Sequence, residues 1–389
     1  VLVTAPEILF FWVARMIIAG YEYRGREPFH DVYLTGLVRD KQKRKMSKSL
    51  GNSPDPITLM EKYGADGVRV GMLLCSPAGN DLLYDDSLPE QGRNFANKIW
   101  NAFRLVITMP TDETIEQPEA SKAAVHWMQD TISKTLADID DSFVRYRISD
   151  ALMQVYKLFW DDFSGWFLEI IKPAYKEPMD GKTHRQTLEI FETLMKIIHP
   201  FMPFITEEIW QRLGERKDGE SIMVEQMPLP APYEAGMLTR FETAKEIVTA
   251  VRAIRKERNI PVREPLVLCA VAGTTGTEFD QVITRLCNLS EIRIVEGKVE
   301  GAASFRIHTS EFFVPLTAGI DHEDEIRKLE EELAYTEGFL ASVMQKLSNE
   351  KFVANAPEKV LTLERKKEAD ARSKIATLRE SLAHLKNQQ

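Results

Sequence analysis

From about Glu90 to Leu213, apolar residues recur at three- and four-residue intervals with few interruptions. A stretch of that length and period can bury itself only as helices packed on helices. The spacing predicts helices over 90–109, 118–140, 142–172, 184–199 and 203–214. Leu152, Val155, Leu158, Phe159, Phe163, Trp166, Phe167 and Ile170 fall on one broad face, a candidate core. Pro200 and Pro203 in His199-Pro200-Phe201-Met202-Pro203 end one helix and begin the next, because proline lacks the N–H and crowds the preceding turn.

Around this bundle the pattern changes. The Pro- and Met-rich segment 220–235 reads as a linker, followed by a long helix at about 237–258. Strand-like runs at Leu266–Ala272, Ile292–Val295, Ser304–His308 and Phe312–Leu316, with a helix near 278–288, predict a small α+β unit. Arg252, Arg255, Lys256 and Arg258 crowd the end of the long helix, where capping of the helix dipole and RNA contact both fit.

Upstream, Val32–Val38 is apolar and β-branched enough to be a buried strand. Lys45-Met46-Ser47-Lys48-Ser49 follows, and Gly51, Asn52, Pro54 and Pro56 forbid simple continuation as a helix. Two lysines on a Ser/Gly-containing loop at a strand's end occupy the place where α/β sheets bind nucleotides. If an attacking carboxylate expels pyrophosphate from ATP, the leaving group gathers negative charge, and mobile lysines can follow it. Each such cation contributes about 2–4 kcal/mol. A solvated basic loop, or a kinase or nuclear-localisation target, is the competing reading of a bare basic pentamer.

The 389 residues allow roughly two to four domains, and 44% hydrophobic content is ample for buried cores. The net charge of −9 hides a local patch. Residues 39–48 hold Arg39, Lys41, Lys43, Arg44, Lys45 and Lys48 against only Asp40, and a phosphate chain responds to the local face. Cys75, Cys269 and Cys287 are far apart, which argues against a disulfide framework or structural metal and suits a reducing cytoplasm. The apolar stretch from Ile8 to Gly20 is interrupted by Arg15 and too short to span a bilayer, and no basic leader precedes it, so no membrane association is expected.

On the first bundle helix, Arg93, Asn97, Asn101 and Arg104 share a face, with Lys98 beside it. An ordinary solvated face and an RNA-reading stripe both fit that pattern. Near the end of the chain, Ile326, Leu329, Leu333, Leu340, Val343 and Leu347 follow heptad steps with a polar gap at Thr336, and Ala371, Ile375, Leu378, Leu382 and Leu385 do likewise. The turn Ser348–Pro357, with Phe352 and Val353 as its plug, predicts an antiparallel hairpin. Legs of about 26 residues at about 1.5 Å each reach roughly 40 Å. From Asp321 to Leu347 there are eight acidic and three basic residues, and from Glu358 to Gln389 five acidic and eight basic. The surplus includes Arg365, Lys366, Lys367 and Arg372, so a leg that tracks a phosphate backbone and a dimerisation or spacer device are both readings of the hairpin.

The loop Lys45–Ser49 matches the Lys-Met-Ser-Lys-Ser signature at every position, and the chain thereby resembles the class I aminoacyl-tRNA synthetases. Asp55-Pro56, Tyr63-Gly64-Ala65-Asp66, Arg69 and Arg93–Asn101 continue the likeness, and Ile8–Met16 with the terminal hairpin looks most like the valyl branch. The resemblance implies a mainly α chain. Its parts would be the end of a Rossmann-type α/β catalytic domain (1–89), a helical-bundle anticodon-binding domain (90–232), a small α+β subdomain (233–320) and an antiparallel coiled-coil tRNA-binding arm (321–389).

It further implies ATP and Mg²⁺ as cofactors, valine as substrate, tRNA(Val) as partner, a cytoplasmic monomer and no structural metal. Lys45 and Lys48 would stabilise pyrophosphate. Met46, Ser47 and Ser49, with Gly36 and Leu37, would complete the ATP site. Trp12 resembles a wall of the valine pocket, plain core being the other reading, and Glu7 stands where the family usually has Asp near the adenylate. Arg93, Asn97, Lys98, Asn101 and Arg104, and Arg365, Lys366, Lys367 and Arg372, would meet tRNA. The family's His-x-Gly-His motif and inserted editing domain are missing, so a piece of a longer enzyme, inactive alone, is expected. An isoleucyl-type ligase and a non-catalytic tRNA-binding scaffold are the alternatives.

Overall fold

A computed structural model describes residues 1–74, 81–272, 277–316, 322–348 and 358–386. Cys75 and the expected turn plug, Phe352 and Val353, lie outside the described residues. The chain is mainly helical and divides into two compact units, Val1–Val314 and Pro315–Gln389. Among the described residues no helix is long and apolar enough to cross a membrane.

The first unit begins with β1 (Leu2–Thr4), a one-turn helix at Pro6–Ile8 and a wider-wound segment Leu9–Val13 that runs into α1 (Ala14–Arg24), and β2 (Val32–Leu34), which pairs parallel with β1 in the register Leu2↔Val32 and Thr4↔Leu34. The expected single strand Val32–Val38 is instead two. Thr35 N–H bonds the Thr4 carbonyl at 2.9 Å and closes the first ladder. Past Gly36 the chain starts β3 (Val38–Arg39), which pairs parallel with β4 (Leu82–Leu83) in a separate sheet. β2 is also half-exposed rather than buried, since each of these sheets is two strands wide.

After the loop come α2 (Pro56–Tyr63) and α3 (Ala65–Leu74), then α4 (Ser87–Thr108). Asp55 caps α2 by accepting from Thr58 N at 3.0 Å, with Pro56 as the first helical residue, a pairing suited to a helix start. Helices α3 and α4 approach at glycines. A Cβ on Gly92 would sit 2.2 Å from the Gly67 carbonyl oxygen, and one on Gly71 would sit 2.6 Å from the backbone at Leu88.

The bundle continues through β5 (Thr111–Asp112), α5 (Glu119–Val144), α6 (Ile148–Lys157), a wider-wound segment Leu158–Phe167, α7 (Leu168–Ile171), β6 (Met179–Asp180), α8 (Gly181–Ile198) and α9 (Pro203–Leu213). Two expected boundaries move. The helix expected over 142–172 is broken because Tyr146 adopts a left-handed φ of 57°, so α5 runs on to Val144 and α6 starts afresh. Within Leu158–Phe167 the backbone is π-helical, and Leu168 N–H reaches back to the Phe163 carbonyl. Wider winding keeps side chains four apart in line. Phe159, Phe163 and Phe167 are all fully buried, with ring centroids 5.3 and 5.5 Å apart.

One join inside the bundle is made from α3. Asp66 accepts from Phe204 N and Ile205 N, at 3.3 and 2.7 Å, and so caps α9 from another helix. Arg69 donates to the Phe201 and Pro200 carbonyls. The orphan groups created by the His199–Pro203 break are thereby satisfied, as buried backbone requires.

Helix α10 (Ala235–Glu257) leads into β7 (Leu266–Val271), α11 (Asp280–Cys287), β8 (Leu289–Val295), β9 (Ala302–Ile307) and β10 (Ser310–Pro315), with sheet order β8-β7-β10-β9. Arg255 is 6% exposed and donates to the carbonyls of Pro261, Glu264 and Cys287. Its side-chain bonds go to the loop after α10 and to the end of α11 at Cys287 and Asn288, not to the last carbonyls of α10 itself. The guanidinium ties α10 to the end of α11 and is not offered to a ligand.

The second unit packs α12 (His322–Leu347) against α13 (Glu358–Lys386). Arg379 pairs with Glu337 at 2.7 Å and Arg372 lies 3.5 Å from Met344 Sδ, so residue numbers rise on one helix as they fall on the other. Val343, Ala371, Ile375, Leu378 and Leu382 are buried between them.

Candidate functional site

Two parallel strands, β1 and β2, end side by side at Thr4 and Leu34. Glu7 follows in the one-turn helix Pro6–Ile8, and Gly36 and Leu37 follow β2, so these residues lie beyond the carboxyl ends of the strands. Lys45 arrives there from the hairpin whose stem is the Arg39–Lys45 bridge. Its Nζ donates to both Glu7 oxygens, at 2.9 and 2.7 Å. Both partners are about half-exposed, so the contact is a weak latch rather than a source of stability. It leaves Lys45 anchored and exchangeable. The Leu37 N–H is already engaged, donating to Asp81 Oδ1 at 3.0 Å.

The hairpin turns on Lys43, whose φ is 64°, and it closes around Asp40. That residue is only 7% exposed, although it is the sole acid among the basic residues of 39–48. Asp40 Oδ1 accepts from Gln42 N at 3.0 Å and Arg44 N at 2.9 Å, while Oδ2 accepts from Arg44 Nε at 2.8 Å and Asn52 Nδ2 at 2.9 Å. The Asn52 amide and Arg44 hold its carboxyl down at about 2 against the opposing pull of burial.

Asn52 links this hub to the signature loop. Its Oδ1 accepts the Ser47 N–H at 2.9 Å and its Nδ2 reaches the Lys45 carbonyl at 3.3 Å. Ser47 Oγ lies 3.1 Å from Ser49 Oγ and accepts from Leu50 N at 3.3 Å, starting the short turn Lys48–Leu50. Gly51 then takes a φ of 64° that a side chain would strain. Met46 N–H is bound to the Val38 carbonyl. The side chain of Lys48 lies outside what the structure describes.

Trp12 is 58% exposed, beside Phe10 and Phe11, which meet edge to face at 5.2 Å. Helix α1 buries no residue at all. Trp12 is therefore not a core residue here, the alternative to a pocket wall. On α4, Arg93, Asn97, Asn101 and Arg104 all face outward over a buried side made by Phe95, Ile99, Ala102 and Phe103. Lys98 Nζ sits 5.3 Å over the Trp160 ring, Arg93 lies 5.9 Å from the Tyr63 ring and Arg212 lies 5.6 Å from the Trp100 ring. Of these rings Tyr63 is buried, while Trp100 and Trp160 are partly exposed beneath their cations.

In the second unit the four expected cations are not equivalent. Lys367 pairs with Glu364 at 2.7 Å and Arg372 with Glu368 at 2.8 Å, both on their own helix. Arg365 and Lys366 are exposed and form no ion pair with another described residue.

Asp40 and Asn52 were missed as site residues in the sequence. The available signal was an acid isolated within a basic run, which carries information only once its burial is known.

Residues 1–85 match the family described as tRNA synthetases class I (I, L, M and V), residues 125–270 the anticodon-binding domain of tRNA ligase, and residues 321–386 the valyl tRNA synthetase tRNA binding arm. The valine–tRNA ligase of Parabacteroides distasonis is 58% identical over 384 residues, covering 99% of this chain and 44% of the relative. Those of Porphyromonas gingivalis and Chlorobaculum tepidum are 57% and 34% identical, with 44% and 45% of the relative covered. The chain thus spans under half the length of these relatives. Among solved structures, the agnB2 LeuRS of Agrobacterium radiobacter K84 in a ternary complex with tRNA and LeuAMS is 17% identical, with a TM-score of 0.44 over 70% of this chain and 30% of that one. A Mycobacterium tuberculosis methionyl-tRNA synthetase is 21% identical, also at 0.44, over 59% and 48%. Scores that low carry no argument, but identity above half across nearly the whole chain does: the chain belongs to the valine–tRNA ligase family of class I aminoacyl-tRNA synthetases.

Proposed function

We propose that this chain supplies the pyrophosphate-handling loop, the anticodon-reading helices and the tRNA-binding arm of a valine–tRNA ligase. The ligase joins valine to AMP with ATP and then transfers it to the terminal ribose of tRNA(Val). The organisation proposed is 1–89, 90–232, 233–320 and 321–389, with the last segment an antiparallel coiled-coil arm. The enzyme works in the cytoplasm as a monomer.

The observation that carries this reading is Lys45 at the carboxyl ends of two parallel strands, on a loop whose backbone is already fixed by Asn52. A cation there reaches the α–β phosphate bridge as it breaks. When ATP binds, the phosphates outcompete Glu7 for Lys45, because the triphosphate as a whole carries several negative charges against one solvated carboxylate. Lys45 and Lys48 then stabilise the departing pyrophosphate. Ser47 and Ser49 order the loop through their shared hydroxyl contact, with Met46, Gly36 and Leu37 at its margins. Mg²⁺ would accompany ATP and offset phosphate charge; among the described residues no cluster of three or more His, Cys, Asp or Glu side chains is placed to hold it alone. Trp12 and Glu7 border the amino-acid side. Exposed Arg93, Asn97, Asn101 and Arg104, with Lys98, meet the anticodon, whose unstacked bases offer edges to hydrogen-bond.

The test is valine-dependent ATP–pyrophosphate exchange by the ligase and its Lys45→Ala and Lys48→Ala variants. Each is expected to lose about 10²–10³-fold in kcat with little change in the KM for valine, the sign of a transition-state contact. Near-normal kinetics in both variants would refute the role given to the loop.

A further inference from the structure

The Lys45–Ser49 loop has few backbone bonds of its own, yet two of its backbone groups converge on one side chain. Asn52 Oδ1 takes the Ser47 N–H at 2.9 Å, and Asn52 Nδ2 takes the Lys45 carbonyl at 3.3 Å. A primary amide can do both only in one orientation, because oxygen accepts and nitrogen donates. What fixes that orientation is Asp40 Oδ2, which accepts from the same Nδ2 at 2.9 Å. The other bonds to Asp40, from Gln42 N, Arg44 N and Arg44 Nε, hold the carboxylate itself still.

We infer that Asp40 is a positioning residue for adenylation: acting through Asn52, it sets the backbone of the signature loop and so aims Lys45 and its neighbours at the pyrophosphate. The inference rests on the proposed function of the loop. It adds a residue upstream of the signature that touches neither substrate nor reacting atoms. Asp40 is nonetheless the buried charge on which the geometry depends.

The chemistry predicts an unusual pattern of loss and rescue. In Asp40→Asn the new Nδ2 faces both the Asn52 Nδ2 and the Arg44 Nε, three donors with no acceptor. Asn52 relieves this by turning its amide over, which sets its NH2 against the Ser47 N–H and releases the loop. In the exchanged double variant Asp40→Asn/Asn52→Asp, the Asn at 40 donates to one carboxylate oxygen at 52 and the other oxygen again accepts the Ser47 N–H, while the Lys45 carbonyl loses its donor and Arg44 Nε its acceptor, so the recovery is partial. Removal of structure alone predicts the opposite, since a double replacement then does more damage than either single one.

The experiment measures ATP–pyrophosphate exchange in the intact ligase for wild type, Asp40→Asn, Asn52→Asp and the exchanged pair, with hydrogen exchange of the Ser47 amide read in each and in Asn52→Ala. A displaced catalytic group costs on the order of 10²-fold. The single variants are expected to lose about that much in kcat while the KM for valine stays within about twofold. The exchanged pair is expected to regain at least about tenfold over either single variant. Ser47 exchange should be faster in both single variants and in Asn52→Ala, and slow again in the pair.

Wild-type kinetics in Asp40→Asn, or an exchanged pair no better than Asn52→Asp, would overturn the inference. So would unchanged Ser47 exchange in Asn52→Ala, which answers the question even if Asp40→Asn does not fold. A wild-type ligase without valine-dependent exchange would instead refute the function, and the Ser47 amide would still report on the clamp.

Discussion

Gly92→Ala tests the joint between the loop region and the bundle. The added Cβ would lie 2.2 Å from the Gly67 carbonyl oxygen and 2.9 Å from Gly67 Cα, all of it backbone that no rotamer change can move. To reach an ordinary contact, α3 and α4 must separate by about 1 Å, which a close-packed interior resists. Val70 and Phe95 are fully buried and lose contact as the gap opens. Overpacking costs about 1–3 kcal/mol and often more against backbone, while replacing a mid-helix glycine with alanine returns about 1 kcal/mol. A net loss of about 2 kcal/mol is expected. Urea unfolding of the ligase followed by tryptophan emission reads it, since Trp100, Trp127, Trp160 and Trp166 lie in the bundle. A variant as stable as wild type, or more stable, would show that α3 and α4 do not pack at backbone contact.

Three other outcomes follow from the same structure. Burial pushes the Asp162 carboxyl up from 3.8 to about 6, with Lys245 3.7 Å away pulling it down. The folded state therefore binds a proton that the unfolded chain does not, and the stability this confers is present below pH 4 and lost as pH rises through 6. Asp162→Asn should be more stable than wild type at pH 7, by up to about 3 kcal/mol, and no different near pH 4; a pH-independent difference in calorimetry would contradict this. Arg255→Met strips four carbonyls of a charged donor and should cost about 3 kcal/mol of stability, while leaving tRNA affinity unchanged in a filter-binding assay at fixed salt; weakened binding without lost stability would assign Arg255 to RNA after all. Removing residues 321–389 should lower the slope of log affinity against log salt by about 2, because Arg365 and Lys366 are, of the four expected arm cations, the two that form no ion pair with another described residue, and each phosphate contact contributes about 0.9. Discrimination between matched and mismatched anticodons should survive, and an unchanged slope together with loss of dimerisation would make the hairpin a protein contact.

What the sequence determined by itself was local. Helical periods placed α5, α8, α9 and α10, because a face repeating every 3.6 residues needs no partner to be recognised. Asp55-Pro56 marked a helix start for the same reason: the cap and its N–H acceptor lie three residues apart. The signature Lys45–Ser49 marked the family, and the outward stripe on α4 was legible because one helix fixes which residues share a face.

Tertiary structure decided whatever joins distant residues. Glu7 and Lys45 are 38 positions apart, and Asp66 reaches α9 across 138. The strand expected over Val32–Val38 split in two because its halves found different partners, β1 and β4, and pairing is a property of the neighbour rather than of the run. The four arginine and lysine residues at the end of α10 looked alike until burial singled out Arg255. Asp40 read as a lone acid in a basic segment, a small correction to its charge. Only the closed hairpin, with Asn52 folded back 12 residues to meet it, made that acid the centre of the loop, since the worth of a carboxylate depends on which donors surround it and how little water remains.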